Sequence, residues 1–401
     1  RQRQNRPDDH AADIQSSADK KQYRRSTGKV MEQKKKVLFV ATVVKTHINT
    51  FHLPFLKMFK EHGWEVHVAA KNDFVDEPCI IPNCDHHFDM EFVRAPFSQR
   101  NIAAYKQLKQ IIETNHYDII HCHTPVAGVL TRLAARNSKD TTVIYTAHGF
   151  HFYKGAPLIN RCLYYTVEKF LSRYTDVLIT LNEEDYQAAL KFHSKKVFKV
   201  NGIGIDTSKF SKIDNCRCLQ SELNLKSDDF LLVSVGELIK RKNYLVIIEA
   251  LKQINNPRIH LAIAGDGELR EYLERKIDKL GLKNQIHLLG YRTDVNKLCN
   301  SADAFIMPSL QEGLSVAIME AMSCGKPIIA SKIRGNVDLI DDNKGGILVN
   351  PKDVSGFIKA ITCFYEMKDN LKKYGLYNID KVQEFDIGKV KQQFFSVYEE
   401  L

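Results

Sequence analysis

The chain of 401 residues is 44% hydrophobic and 26% charged, an ordinary globular composition, and it exceeds what one hydrophobic core usually supports, so two domains are expected. Its formal net charge is +10, but no nucleic-acid-binding motif accompanies the surplus, and nucleic acid is not expected as a partner. No apolar stretch approaches the roughly 18 residues of a membrane-spanning helix and no secretory signal pattern is present, which points to a cytoplasmic protein.

Residues 1–30 are polar and lack hydrophobic periodicity, and they read as a disordered leader or added extension. Residues 1–36 hold 11 Lys/Arg against 5 Asp/Glu. The run Lys34-Lys35-Lys36 reads as a solvated charge run or as a contact for an anionic membrane face. A buried strand follows at 37–42, a loop at 44–49, a helix to about His62 closed by Gly63, and a second strand at 65–69. This βαβ opening places the 44–49 loop at the carboxyl end of the first strand, where ligands of such sheets bind. His47 and His52 read equally as structural or functional there.

A helix at 101–114 and strands at 119–121 and 142–147 come next, the last ending in His148-Gly149-Phe150-His151. His148 thus falls at a strand's carboxyl tip, and Gly149 lets backbone approach a ligand closely. A helix at 158–172 and a strand at 176–180 are expected to complete the first domain. A short helix at 183–192 and a turn-rich segment at 199–210 lead out of it. The second domain opens with a strand at 230–235 and Gly236-Glu237-Leu238-Ile239-Lys240-Arg241-Lys242-Asn243, before a helix at 244–254. A basic cluster between a parallel strand and a helix suits a diphosphate, which cations and helix amides neutralise together. A strand at 260–264 leads to Gly265-Asp266-Gly267 and a charged helix at 268–280, a turn that fits a nucleotide side. A strand at 285–289 precedes Gly290-Tyr291-Arg292.

The most informative stretch is 303–331. The apolar run 304–307, ended by Pro308, reads as a buried parallel strand. A loop at 309–314 contains Gly313, and a helix at 315–324 is stopped by Gly325 and Pro327 before a strand at 328–330. Glu312 and Glu320 are separated by seven residues. Glu312 lies just before a helix whose free amides favour anions. Glu320 is the only charged side chain in that helix, and a buried carboxylate needs donors, which sugar or ribose hydroxyls supply. The alternative is a solvated Glu320 and an ordinary loop Glu312. Residues 354–401 read as helical, with apolar spacing.

Glu-x7-Glu within EGLSVAIMEAMSCGKPIIAS resembles the signature of the family-4 retaining glycosyltransferases. Their GT-B architecture is α/β, with two Rossmann-like, doubly wound parallel-sheet domains around a cleft. The resemblance implies an acceptor-side domain at 31–210, a nucleotide-sugar domain at 211–380, and a helix at 381–401 that crosses back to the first domain, anchored by Phe394, Phe395 and Tyr398. It implies that Glu312 faces the donor sugar and Glu320 binds the nucleotide ribose. Gly313, Leu314 and Ser315 would offer amides to the donor phosphate and sugar. Lys242 matches the family's phosphate-binding lysine, but Glu237 stands where the family has an arginine, so Lys240 or Arg241 takes that part. The paired glycines usual in the first loop are replaced by Lys45, Thr46, His47 and Asn49. His148 would contact the sugar or orient the acceptor, and Gly265 and Tyr291 would lie on the nucleotide side. The implied catalytic residues are therefore Glu312, His148 and Lys242, with Arg241 joining the donor-binding set.

The segments TVVKTHINTFHLPFLKMF, HCHTPVAGVLTRLAAR and TAHGFHFYKGAP resemble bacterial capsular or exopolysaccharide enzymes of this family. That implies transfer of a sugar from a nucleotide-sugar donor, a UDP-sugar first among them, to a lipid-linked saccharide at the inner membrane face, with retention of configuration. A sugar-nucleotide epimerase and a non-catalytic nucleotide-sugar-binding component remain open on the same architecture. There is no Asp-x-Asp motif in a suitable loop, so cations and amides are expected to stabilise the leaving diphosphate with no cofactor required. The nine cysteines are scattered without CxxC pairs, as in a reduced compartment. Cys216-x-Cys218 and His121-Cys122-His123 lack partner pairs, and no metal is expected.

Overall fold

The computed structural model describes residues 34–401 apart from 94, 96 and 97, and the expected leader at 1–30 lies outside them. The first sheet contains β1 (Lys36–Val43), β2 (Glu65–Lys71), β3 (His86–Asp89), β4 (Ile119–His123), β5 (Thr142–Ala147), β6 (Val177–Thr180) and β7 (Lys196–Lys199). The second contains β8 (Phe230–Val235), β9 (Ile259–Ala264), β10 (Ile286–Gly290), β11 (Ala304–Met307), β12 (Ile328–Ser331) and β13 (Gly346–Val349). Strand orders are β3-β2-β1-β4-β5-β6-β7 and β10-β9-β8-β11-β12-β13, with parallel pairing throughout. The order reverses between β1 and β4 and again between β8 and β11, and each reversal opens a crevice at the strands' carboxyl ends.

Both sheets are covered on both faces, which is why their central strands read as continuous apolar runs. Successive residues of β1 enter different cores: Val37, Phe39 and Ala41 join one, Leu38 and Val40 the other. In β8, Phe230 and Leu232 face one core while Leu231 and Val233 face the opposite one.

Several elements depart from expectation. The first sheet does not end at 176–180, because β7 follows a helix that stops at Ala189. β3 and β7 are edge strands whose residues are half-buried or exposed, so they carry no apolar run to detect. β13 was also not anticipated. β4 continues past 121 because Cys122 and His123 are as buried as His121. The loop expected at 44–49 is a turn of π-helix, Val44–Ile48, that runs into the short helix Asn49–Phe51.

The last helix, Ile387–Glu399, packs Val390, Phe394 and Val397 into the first domain's core with Val37 and Phe39. Phe394 lies 4.8 Å from Phe55, ring centre to ring centre, and the Tyr398 hydroxyl is 2.6 Å from His121 Nδ1. Among the described residues no helix is long and apolar enough to cross a membrane.

Candidate active site

The crevice between β8 and β11 collects the charged residues. Gly236 ends β8 and leaves room for Lys242, since a Cβ there would sit 3.1 Å from Lys242 Cε. Asn243 closes the Lys240–Lys242 turn in a left-handed conformation, φ 57°. Its side-chain amide donates to Pro308 O at 3.0 Å and Pro351 O at 2.8 Å, fastening the turn to the tip of β11. Lys242 Nζ then meets Glu312 Oε1 at 2.8 Å, and Arg241 Nη1 meets Oε2 at 3.2 Å. Lys240 and Glu237 are exposed, so Arg241 is the cation that stands beside Lys242. Glu312 is 8% exposed. Burial pushes its carboxyl up, but Lys242 and Arg241 outweigh that and hold it below its ordinary value.

Glu320 has the opposite electrostatics. It lies on the helix Val316–Ser323, whose N-cap is Ser315, with its Oγ accepting from Ile318 N at 3.4 Å. Burial pushes the Glu320 carboxyl up to about 7, against weak opposition from Lys209. No hydrogen bond reaches that carboxyl among the described residues. It is a half-buried acceptor that no protein donor meets among the described residues.

The two domains meet at Gly313. A Cβ on Gly313 would lie 1.9 Å from His148 O, and one on Gly335 would lie 2.1 Å from Gly313 O, so both backbones approach through glycines. Arg334 Nε donates to Glu312 O at 3.2 Å, and its Nη1 meets Asp185 Oδ1 of the first domain at 2.5 Å. Asp185 also accepts from Phe150 N and from Asn182 Nδ2, and Asn182 Nδ2 reaches Gly313 O at 3.2 Å. Asp185 and Arg334 are 2% and 5% exposed. Sequence reasoning missed all three of these residues. Asn182 followed by Asp185 is a legible helix cap, but nothing local shows that its carboxylate faces an arginine 149 positions later.

His148 sits between two groups. Its carbonyl touches Gly313, while its Nε2 is 3.4 Å from His123 Nδ1. His47, His52, His123 and His148 each place one ring nitrogen within 4.8 Å of the other three. Burial pushes all four below the ordinary histidine range, His148 to about 4. Of the remaining expected residues, Leu314 packs on Gly202, and Gly265 lets the β9 tip close on β8, a Cβ there falling 2.0 Å from Gly236 O. Tyr291 is 81% exposed, just beyond the edge strand β10, and acts electrostatically on Lys45 of the first domain. A separate cavity of about 700 Å³, among Lys212, Arg217, Lys326 and Lys372, contains none of these residues.

Residues 36–182 match the family described as glycosyl transferase 4-like, and residues 219–380 match glycosyl transferases group 1. The chain is 40% identical over 373 residues to the putative glycosyltransferase EpsD of Bacillus subtilis (strain 168), covering 91% of this chain and 96% of that one. It is 36% identical over 276 residues to the UDP-Gal:alpha-D-GlcNAc-diphosphoundecaprenol alpha-1,3-galactosyltransferase of Escherichia coli, covering 65% and 71%. Its fold is similar to that of Anabaena HepE, solved in complex with UDP and glucose, with a TM-score of 0.75 at 21% identity, covering 92% of this chain and 100% of that one. Matched in both of its halves, and along nearly its full length by one relative, the chain belongs to the family-4 glycosyltransferases of GT-B fold.

Proposed function

We propose that the protein moves a sugar from a UDP-sugar to a lipid-linked saccharide in polysaccharide biosynthesis, with retention of anomeric configuration. The observation that carries this proposal is Glu312, buried and ionised between Lys242 and Arg241 in the crevice of the second sheet. An incoming diphosphate competes for the same two cations and frees the carboxylate to hold sugar hydroxyls. The donor's C1–O bond breaks as the diphosphate departs with the electron pair. The acceptor hydroxyl bonds to C1 on the same face, and its proton passes to the leaving phosphate oxygen. Lys242, Arg241 and the amides of Gly313, Leu314 and Ser315 stabilise the developing charge, so the diphosphate needs no divalent ion. Glu320 takes the ribose hydroxyls, with Gly265 and Tyr291 on the nucleotide side.

The acceptor domain extends through residue 210, the donor domain through 380, and residues 381–401 cross back. His148, at the tip of β5 against Gly313, orients the acceptor. The Escherichia coli relative's name specifies a UDP-Gal donor and a diphosphoundecaprenol acceptor, and HepE was solved with UDP; both support this choice of substrates. A membrane-bound acceptor also suits the helix Leu158–Leu171. It exposes Leu158, Ile159, Leu163 and Phe170 beside Arg161, Lys169 and Arg173, an apolar face rimmed by cations that fits an anionic bilayer surface at the cytoplasmic side.

Nucleotide release from UDP-, GDP- and ADP-sugars, with and without bacterial lipid extract, tests the proposal. UDP release that rises with lipid, with sugar entering the lipid fraction in the donor's anomeric configuration, is expected. Binding without release under every condition would sink it.

A further inference from the structure

We infer that His47, His52, His123 and His148 form a binding site for one divalent transition-metal ion of the zinc type, at the point where the first sheet's strand order reverses. The four residues come from three neighbouring strand ends. His47 lies on the turn after β1 and His52 at the start of the next helix, His123 is the last residue of β4, and His148 directly follows β5. The sheet's topology therefore assembles them, although no spacing in the chain announces a ligand pair.

Their geometry is close to that of a bound ion. Zinc–imidazole bonds of about 2.0–2.1 Å place tetrahedral ligand nitrogens about 3.3–3.4 Å apart. One edge, His148 Nε2 to His123 Nδ1, is already 3.4 Å, and the four nitrogens all lie within 4.8 Å of one another.

Hydrogen bonding separates these imidazoles from their neighbour. His121 stacks 4.1 Å from His123, yet both its nitrogens are engaged, by the Tyr398 hydroxyl at 2.6 Å and Thr146 Oγ1 at 2.8 Å. By contrast His47 Nε2 and both nitrogens of His52 are buried without a partner, and His123, whose Nδ1 meets His148 Nε2 within the group, leaves its Nε2 unmet. A buried polar atom left without a partner is destabilising until a ligand meets it. His52 and His123 are only 3% and 1% exposed, so bulk water does not serve them.

Four neutral nitrogen donors, with no carboxylate or thiolate in the group, select zinc, cobalt, nickel or copper over magnesium or calcium. A site closed by four protein ligands is of the structural kind rather than one that activates water. It is separate from the diphosphate-binding cations proposed above, and it shares His148 with the acceptor side of that proposal: Nε2, which faces His123, would hold the ion and leave the other ring nitrogen to the acceptor. Its effect would be to tie the tips of β1, β4 and β5 together and fix His148, whose carbonyl sets the position of Gly313.

The test uses full-length protein without a histidine tag, stripped by chelator and dialysed against metal-free buffer. Titration with Co2+ is expected to produce visible d–d absorption that saturates at one ion per chain and is displaced by Zn2+. His52→Gln and His123→Gln should each lose the band, while His151→Gln, at an exposed histidine outside the group, should keep it. Zinc X-ray absorption of the wild-type protein covers the case in which a variant fails to fold, with four imidazole nitrogens expected at about 2.0 Å. Wild-type protein that binds no Co2+ at one per chain, a band that survives in folded His52→Gln and His123→Gln, or a first shell of oxygen or sulfur would each overturn the inference.

Discussion

The two sheets present opposite chemistry at equivalent places. Where the strand order reverses between β8 and β11, the tips carry Lys242, Arg241 and Glu312, three charges buried or half-buried and paired with one another. Where it reverses between β1 and β4, the tips carry imidazoles that burial keeps uncharged. Charges out of water must be paired, so the second crevice is prepared for a ligand that exchanges with Glu312 as an anion. Neutral rings lack only hydrogen-bond or coordination partners, so the first crevice suits a ligand that brings its own charge or its own donors. One topology thus sets paired charges at the tips of one sheet and a group of imidazoles at the tips of the other.

Breaking the charged side should give the largest effect. Glu312→Gln keeps the side chain's volume while removing its charge, and kcat is expected to fall by about 10²–10³-fold. Lys242→Met should do the same, since this lysine holds Glu312 in the free protein and, in the proposed reaction, would hold the diphosphate. Nucleotide release measures both, with circular dichroism as the check on folding. Near-normal turnover in two well-folded variants would remove Glu312 and Lys242 from the active site.

The contact that sets the two sides against each other, Asp185 with Arg334, comes next in size. Both groups are buried and paired at 2.5 Å, so removing one leaves the other charged and uncompensated. Arg334→Leu and Asp185→Leu are each expected to destabilise by about 3–5 kcal/mol. The double variant should lose less than the sum, because it strands neither charge. Thermal unfolding of the four proteins reads the cycle. Strict additivity would mean that the pair does not couple the domains.

How much of this was legible in the chain follows from where each partner sits. The strands 142–147, 230–235 and 304–307 coincide with β5, β8 and β11 because doubly covered parallel strands leave unbroken apolar runs. β3, β7 and β13 left no such trace; β3 and β7 are edge strands of the first sheet with no fully buried residue. The two carboxylates were visible because they share one helix and its preceding loop. Their opposite states were not, because Lys242 and Arg241 reach Glu312 across some 70 residues of chain. Distance in the chain hid the histidine group more thoroughly. His47 and His52 read as ambiguous, and His121-Cys122-His123 looked like a lone motif, until the parallel sheet set the ends of β1, β4 and β5 side by side. Only His123 of that motif joins the group, since His121 is occupied by Tyr398 and Thr146.

The comparison sharpens further within the motif itself, because Glu312 and Glu320 are both largely buried yet shift in opposite directions. Glu320 rises from its ordinary 4.5 to about 7. Between those two values the folded protein holds a proton that the unfolded chain has already released. Stability must therefore fall as pH rises from about 4.5 to about 7, then level off, with a full effect on the order of 3 kcal/mol. Glu320→Gln carries no proton to lose, so its thermal midpoint should lack this part of the pH dependence, and the variant should gain on the wild type toward neutral pH. Parallel pH profiles for the two proteins would contradict a raised Glu320. If ribose hydroxyls are the donors this carboxyl awaits, they stabilise its charged form and lower its pKa. UDP binding near pH 7 should then release a fraction of a proton. Calorimetry in buffers of different ionisation enthalpy detects that release in the wild type, and it should vanish in Glu320→Gln. Binding enthalpies that are independent of buffer would leave Glu320 buried and unpaired even with nucleotide present, a state its environment does not favour, and would move the ribose elsewhere on the second domain.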